Sequence, residues 1–397
     1  MSKTRIASID ILRGIIMVIM AIDHVRDFWH IQITPDGHDY SDPTNLLQTT
    51  PFLFFTRFIT HYCAPTFVML TGTSAYLVGQ RKSKKDLSSF LIKRGIWLVL
   101  VELIVMSFAF TFDPLYHVFV FQVIWVIGWS LIILGLMIWL PYSVILVAGL
   151  ILFFGHNYLD MMGLPENVRN SPLGMAVYFS YNFIITLTPD RVILVLYALI
   201  PWLGVMLLGY CLGRLYEAGV EAVQRRRILN LLGIGLLVFF FIFRYFNIYG
   251  DQVPWEVQAR GPEYTVISFF NVTKYPASLL YYCVTLGCAL IALSALETIN
   301  NGFTRVMNVF GRVPFFFYIL HFYIIHIVTV AIFYLQGYGT KDIIPPGMPL
   351  LFRPPTLGFP LWGMYIGWFL LMLLLYPLCK KYDRYKSTHT HWWLSYL

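Results

Sequence analysis

The chain has 397 residues, 58% hydrophobic and 18% aromatic but only 12% charged, with a mean hydropathy of +0.69. An ordinary soluble domain carries roughly 25% charged residues, so composition excludes a soluble globular protein and predicts an all-α, polytopic integral membrane helix bundle in a lipid bilayer. The net charge of +8 is concentrated in short segments between apolar runs, where it orients spans and gives no reason to expect nucleic acid as a partner.

A bilayer core takes about 20 apolar residues to cross. On that rule ten spans are predicted, near residues 9–31, 58–80, 90–111, 118–139, 141–156, 192–213, 228–249, 276–298, 312–335 and 359–379. The first run carries Asp10, Arg13 and Asp23 and lacks a small-residue cleavage site, so it is read as a retained span and not a signal peptide. The fifth is short and shares Pro141 with the fourth. Lys3, Arg5, the run QRKSKKDLSSFLIKR at 80–94, Arg214, Arg225 to Arg227, Arg305, Arg312 and the tail KKYDRYK at 380–386 then fall on one side. The excess of basic residues there predicts that both termini are cytoplasmic. The opposite side receives the longer loops 32–57, 157–191, 250–275 and 336–358, rich in Pro, Asp, Asn, Tyr and Trp. They suit irregular caps over the helix ends or a surface for a polar acceptor such as a sugar. Residues 171–190 are too short and polar for a span and read as an interfacial or re-entrant helix. With no internal repeat, residues 1–397 are taken as a single domain. The five cysteines show no metal-like or disulfide-like spacing, which predicts free buried thiols and no metal site.

The first span carries the most unusual pattern. Asp10, Arg13, Met17, Met20, His24 and Asp27 follow helical i, i+3, i+4 spacing and form one stripe. Each intramembrane charge costs several kcal/mol on insertion scales, which favours a functional reading. Arg13 and His24 lie eleven residues apart, about 16 Å along the axis. Arg suits a phosphate in the cytoplasmic half, and His exchanges protons near neutrality toward the outer half. Asp27, or Asp23 through a neighbouring helix, is placed to hold the imidazole in its basic tautomer. The plainer alternative is a self-neutralising Asp10/Arg13 pair and an interfacial histidine.

A second patch, ITHYCAPTFVMLTGTSAYL at 59–77, opens with His61, which is placed to face His24. The small residues Thr71, Gly72, Thr73 and Ser74 read as a close helix contact. Farther on, Lys274 falls at the outer end of the eighth span and Arg312 at the inner end of the ninth, where it is available to a phosphate. His321 and His326 are about 140° apart around a helix, so at most one reaches an interior cavity. Glu102 is an intramembrane acid without an evident partner.

The stretch IDILRGIIMVIMAIDH, with Asp10, Arg13 and His24, resembles the first-helix signature of the transmembrane acyltransferase superfamily, in the version that acylates bacterial surface polysaccharides. Arg5 lies one position farther from Asp10 than in the commonest form. APTFVMLTGTSAYL, TKYPASLLYY and GRVPFFFYILH are similar to bacterial relatives of heparan-α-glucosaminide N-acetyltransferase. The resemblance implies a bundle of ten or eleven helices that passes an acyl group, by analogy acetyl, from cytoplasmic acyl-CoA to a hydroxyl or amine across the membrane. A cell-envelope sugar in a bacterial plasma membrane is the implied acceptor, and the oligomeric state is open. The lysosomal enzyme's active-site histidine corresponds to Pro51 here, and His24 aligns with an Asn of that enzyme. The expected base is therefore His24, supported by Asp27 and His61, with Asp10, Arg13 and Arg312 toward the donor. Direct transfer and an acyl-imidazole intermediate both remain open. The competing reading is a proton-coupled transporter using Asp23, His24 and Asp27; a non-catalytic membrane component is a third.

Overall fold

The computed structural model describes residues 6–179, 184–344, 350–391 and 394; Lys3 and Arg5, part of the topology argument, lie outside them. In chain order the helices are α1 Ala7–Trp29, α2 Pro51–Thr60, α3 Cys63–Gly79, α4 Lys84–Val101, α5 Ser107–Thr111, α6 Val123–Met137, α7 Tyr142–Gly155, α8 Tyr158–Met161, α9 Glu166–Arg169, α10 Pro172–Val177, α11 Leu199–Leu212, α12 Ala222–Phe246, α13 Pro262–Phe270, α14 Leu279–Leu296, α15 Gly302–Arg312, α16 Pro314–Leu335 and α17 Leu361–Thr388. The strands are β1 Val118–Phe121, β2 Ile184–Thr188 and β3 Arg191–Val195.

Among the described residues, five helices are long and apolar enough to cross a membrane: α11 with its 3-10 extension to Tyr216, α12, α14, α16 and α17. The outward faces of α12 and α17 expose Leu231, Ile234, Val238, Phe241, Ile366, Phe369, Leu370 and Leu373, the apolar surface a bilayer would cover. The protein is a mostly helical integral membrane protein. The helix α1 is not among the five because it carries Asp10, Arg13, Asp23, Arg26 and Asp27, and α6 and α7 are apolar but shorter.

The chain is not purely α. Strand β3 lies between β1, which pairs with it in parallel (Val118↔Val192), and β2, which pairs antiparallel (Ile184↔Leu194). The expected interfacial helix over 171–190 is replaced by the short α10 and strand β2, with residues 180–183 outside the described set. The physical reason is the β-branched run IITLT facing RVILV, which a strand pair accommodates better than a helix.

The predicted second span is broken at His61 and Tyr62. Pro65 has no N–H to offer the carbonyl of His61 four residues earlier, and that carbonyl instead accepts the Tyr281 hydroxyl at 2.9 Å. A π-helical segment, Glu102–Met106, joins α4 to α5.

The helix α1 is enclosed by α2, α3, α14, α15, α16 and α17. Among the described residues, four helix pairs cross with glycine against glycine: Gly14 and Gly311 (α1/α15), Gly72 and Gly209 (α3/α11), Gly95 and Gly128 (α4/α6), Gly233 and Gly287 (α12/α14). A methyl group at Gly311 would lie 1.7 Å from the Asp10 carbonyl oxygen, and one at Gly72 2.2 Å from that of Met206. These are backbone-on-backbone contacts of the kind small residues permit in membranes. The packing role read for Gly72 is what the structure shows.

Candidate active site

Three cavities meet along α1. A vestibule of about 290 Å³ lies among Arg13, Ser74, Arg94, Arg312 and Lys386. A neck of about 110 Å³ shares Phe67, Thr71, Arg94, Pro314 and Phe315 with it and is otherwise walled by apolar groups, among them Met17, Leu98 and Ile127. An inner chamber of about 40 Å³ shares Met20, Phe67, Val123 and Tyr318 with the neck and is lined by Asp23, His24, Gln122 and Lys274. Along α1, Arg13 to His24 covers about 16 Å. The single stripe read from the sequence therefore connects a cationic mouth to a histidine-lined end. A larger cavity of about 430 Å³ near Ser8, Arg225 and Asn308 shares no lining residue with these three.

At the mouth, Arg13 donates to Asp10 Oδ1 at 2.8 Å, Ser74 Oγ at 3.0 Å and the Gly311 carbonyl at 3.3 Å. Asp10 thus holds the guanidinium from behind, while Arg13 itself lines the vestibule. Arg312 ion-pairs with Asp383 of α17 at 3.1 Å. Arg94 and Lys386, read from sequence only as parts of basic runs, complete the cationic ring.

At the inner end, His24 Nδ1 is 2.7 Å from His321 Nε2, and His321 Nδ1 is 3.0 Å from the Phe317 carbonyl. Phe322 lies across the His24 ring, with centroids 4.2 Å apart. Asp23 faces Arg26 at 2.9 Å and is in contact with Arg57. Lys274 is buried between the rings of Tyr197 and Tyr275, 5.8 and 5.1 Å from their centroids. The chamber wall accordingly carries the Lys274 ammonium and an Asp23 carboxylate that Arg26 and Arg57 engage. Glu102 accepts the Gln122 backbone N–H at 2.8 Å, and the Gln122 side chain accepts the Tyr318 hydroxyl at 3.3 Å. The carboxyl with no evident partner thus holds the residue that begins the chamber wall.

Two expected supports of His24 lie elsewhere. Asp27 takes the Arg26 guanidinium at 2.5 Å, one turn beyond the imidazole, because the arginine beside it outcompetes a neutral ring. His61 is buried against Tyr281 and Phe58 and does not face His24, since the break before α3 turns its ring toward α14. Of the two histidines on α16, His321 reaches the site. The other, His326, bridges the carbonyls of Ala109 and Leu351 at 3.0 and 3.1 Å.

Sequence reading missed His321 as the partner of His24, and missed Arg57, Gln122 and Tyr318. The motif FYILH marked the segment, but only the fold brings His321, 297 positions away in sequence, against His24.

Fold and cavities together define a helical membrane protein with a buried histidine chamber reached through an apolar neck from a cationic mouth. A family model described as heparan-alpha-glucosaminide N-acetyltransferase, catalytic, matches residues 5–245. That is more than half the chain, and the protein belongs to this family of membrane acetyltransferases. No curated protein matches the sequence.

Proposed function

We propose that the protein transfers an acetyl group from acetyl-CoA to a hydroxyl or amine of an acceptor, with His24 as the reacting base. The observation that supports this most is the series of vestibule, neck and chamber, each sharing lining residues with the next. The CoA nucleotide is polyanionic and suits Arg13, Arg94, Arg312 and Lys386, with Arg the better partner for phosphate oxygens. Its pantetheine arm is thin and uncharged, and suits a narrow apolar neck. The thioester then lies beside His24.

In direct transfer, His24 Nε2 takes the acceptor proton as the acceptor oxygen or nitrogen attacks the thioester carbonyl. Collapse of the tetrahedral intermediate breaks the C–S bond, and the imidazolium returns its proton to the departing thiolate. Lys274 supplies positive charge for the developing oxyanion. Attack by Nε2 itself would give an acyl-imidazole that the acceptor then resolves. The basic run at 80–94, most of it in the first turns of α4, supplies Arg94 to the vestibule, and the positive-inside argument favours a cytoplasmic position for that end. Ten spans, both termini inside and an envelope sugar accepting at the outer face of a bacterial plasma membrane complete the reading.

The test is acetyl-CoA binding to detergent-purified protein by thermal shift, followed by radiolabelled acetyl transfer to glucosamine and N-acetylglucosamine in proteoliposomes. A shift with acetyl-CoA and transfer abolished by His24→Ala, with normal expression, is the expected result. Transfer retained by His24→Ala would remove His24 as the base.

A further inference from the structure

We infer that His321 is a positioning residue that fixes the proton of His24 on Nδ1 and so leaves Nε2 as the basic nitrogen. The inference rests on the proposal that His24 is the reacting base.

The Phe317 carbonyl can only accept, so the His321 Nδ1 beside it at 3.0 Å carries hydrogen. His321 is fully buried, with Phe317 and Phe322 against its ring, surroundings that favour the neutral imidazole. A neutral ring with hydrogen on Nδ1 has its lone pair on Nε2. That lone pair meets His24 Nδ1 at 2.7 Å, and the two rings are inclined by only 28°, so the hydrogen between them belongs to His24. The lone pair of His24 is thereby assigned to Nε2, in a residue that lines the chamber. An imidazole without such an acceptor prefers its hydrogen on Nε2, the wrong nitrogen for a base facing a substrate. A carboxylate performs this service in hydrolase triads. Here a neutral ring performs it, and Asp23, next in sequence, is taken up by Arg26 and Arg57.

Two measurements test this. The first is ¹⁵N solid-state NMR of histidine-labelled protein in lipid, with the His24 signals assigned by their absence from His24→Gln. Hydrogen on Nδ1 is expected, and hydrogen on Nε2 overturns the inference whatever the activity. The second compares wild type, His321→Leu and His321→Gln in acetyl transfer to glucosamine and N-acetylglucosamine. His321→Leu should lower kcat about 10²-fold or more with the KM for acetyl-CoA unchanged. His321→Gln, whose amide oxygen restores an acceptor, should recover most of it. Full activity in His321→Leu overturns the inference. So does equal loss in both variants with reduced thermal stability, the mark of a purely structural role. A wild type inactive on both probes with hydrogen on Nδ1 counts against transfer to these sugars and supports the tautomer assignment, so the two failures are distinguishable.

Discussion

Arg13 is held by three acceptors before any ligand arrives, Asp10, Ser74 and the Gly311 carbonyl, so a phosphate would meet a guanidinium already oriented. Arg13→Ala should therefore raise the acetyl-CoA Kd severalfold while leaving the acceptor KM nearly unchanged, as thermal shift and steady-state kinetics would show. Equal changes in both would reduce Arg13 to a structural ion pair. Outside the helices, Asp113 accepts the backbone N–H groups of Leu115 and His117 at 2.9 and 2.7 Å and the His117 ring at 2.7 Å. Burial pushes its carboxyl up, but these donors outweigh burial and hold it below the usual range. A depressed acid stabilises the fold above its unfolded pKa of about 4, and that contribution fades as pH falls through the folded value. Asp113→Asn should lower Tm at pH 7, and the gap to wild type should close toward pH 3. Single residues were readable where one helix carried the whole pattern, as for Asp10, Arg13 and His24. They were not where the partner arrives from a distant helix, as His321 does from α16.

Each glycine crossing sets two helices at backbone distance, and the α1/α15 crossing at Gly14 and Gly311 lies directly beside Arg13, which donates to the Gly311 carbonyl. Gly311→Ala would drive a methyl into the Asp10 carbonyl. Forced repacking of this kind costs about 1–3 kcal/mol or more, so a clear fall in Tm is expected, with donor affinity falling alongside because the displaced carbonyl belongs to the residue that holds Arg13. At the opposite end of α1, the buried Arg353 donates to the carbonyls of Asp27, His30, Pro354 and Leu357 at 2.5 to 3.1 Å. Burial pushes its guanidinium down to about 10, still charged at neutral pH. Arg353→Met leaves those carbonyls without their donor and should cost more than about 2 kcal/mol, read as a lower Tm. The long apolar helices were legible from hydropathy because lipid demands an unbroken run. Strands β1 and β3 were not, since they adjoin helical runs of the same apolar composition, and their pairing joins positions as far apart as Val118 and Val192.

The cavity system belongs to the whole molecule, because its walls come from α1, α3, α4, α6, α16 and α17 together. No periodicity in one segment could announce it, although the stripe on α1 gave its direction. Ile127→Trp, which fills the neck, should abolish transfer while binding of adenosine 3′,5′-bisphosphate, the nucleotide fragment of CoA, stays unchanged in thermal shift. Loss of both would place the nucleotide elsewhere. The narrow inner chamber carries a further consequence, and it is electrical. A channel of water running the length of α1 would let ions leak and discharge any voltage held across the bilayer. An inner chamber of about 40 Å³, narrowed by Phe67 and Tyr318 where it meets the neck, leaves little room for such a column. Under the proposed transfer, a chemical group would cross the interior without a continuous path of water for ions to follow.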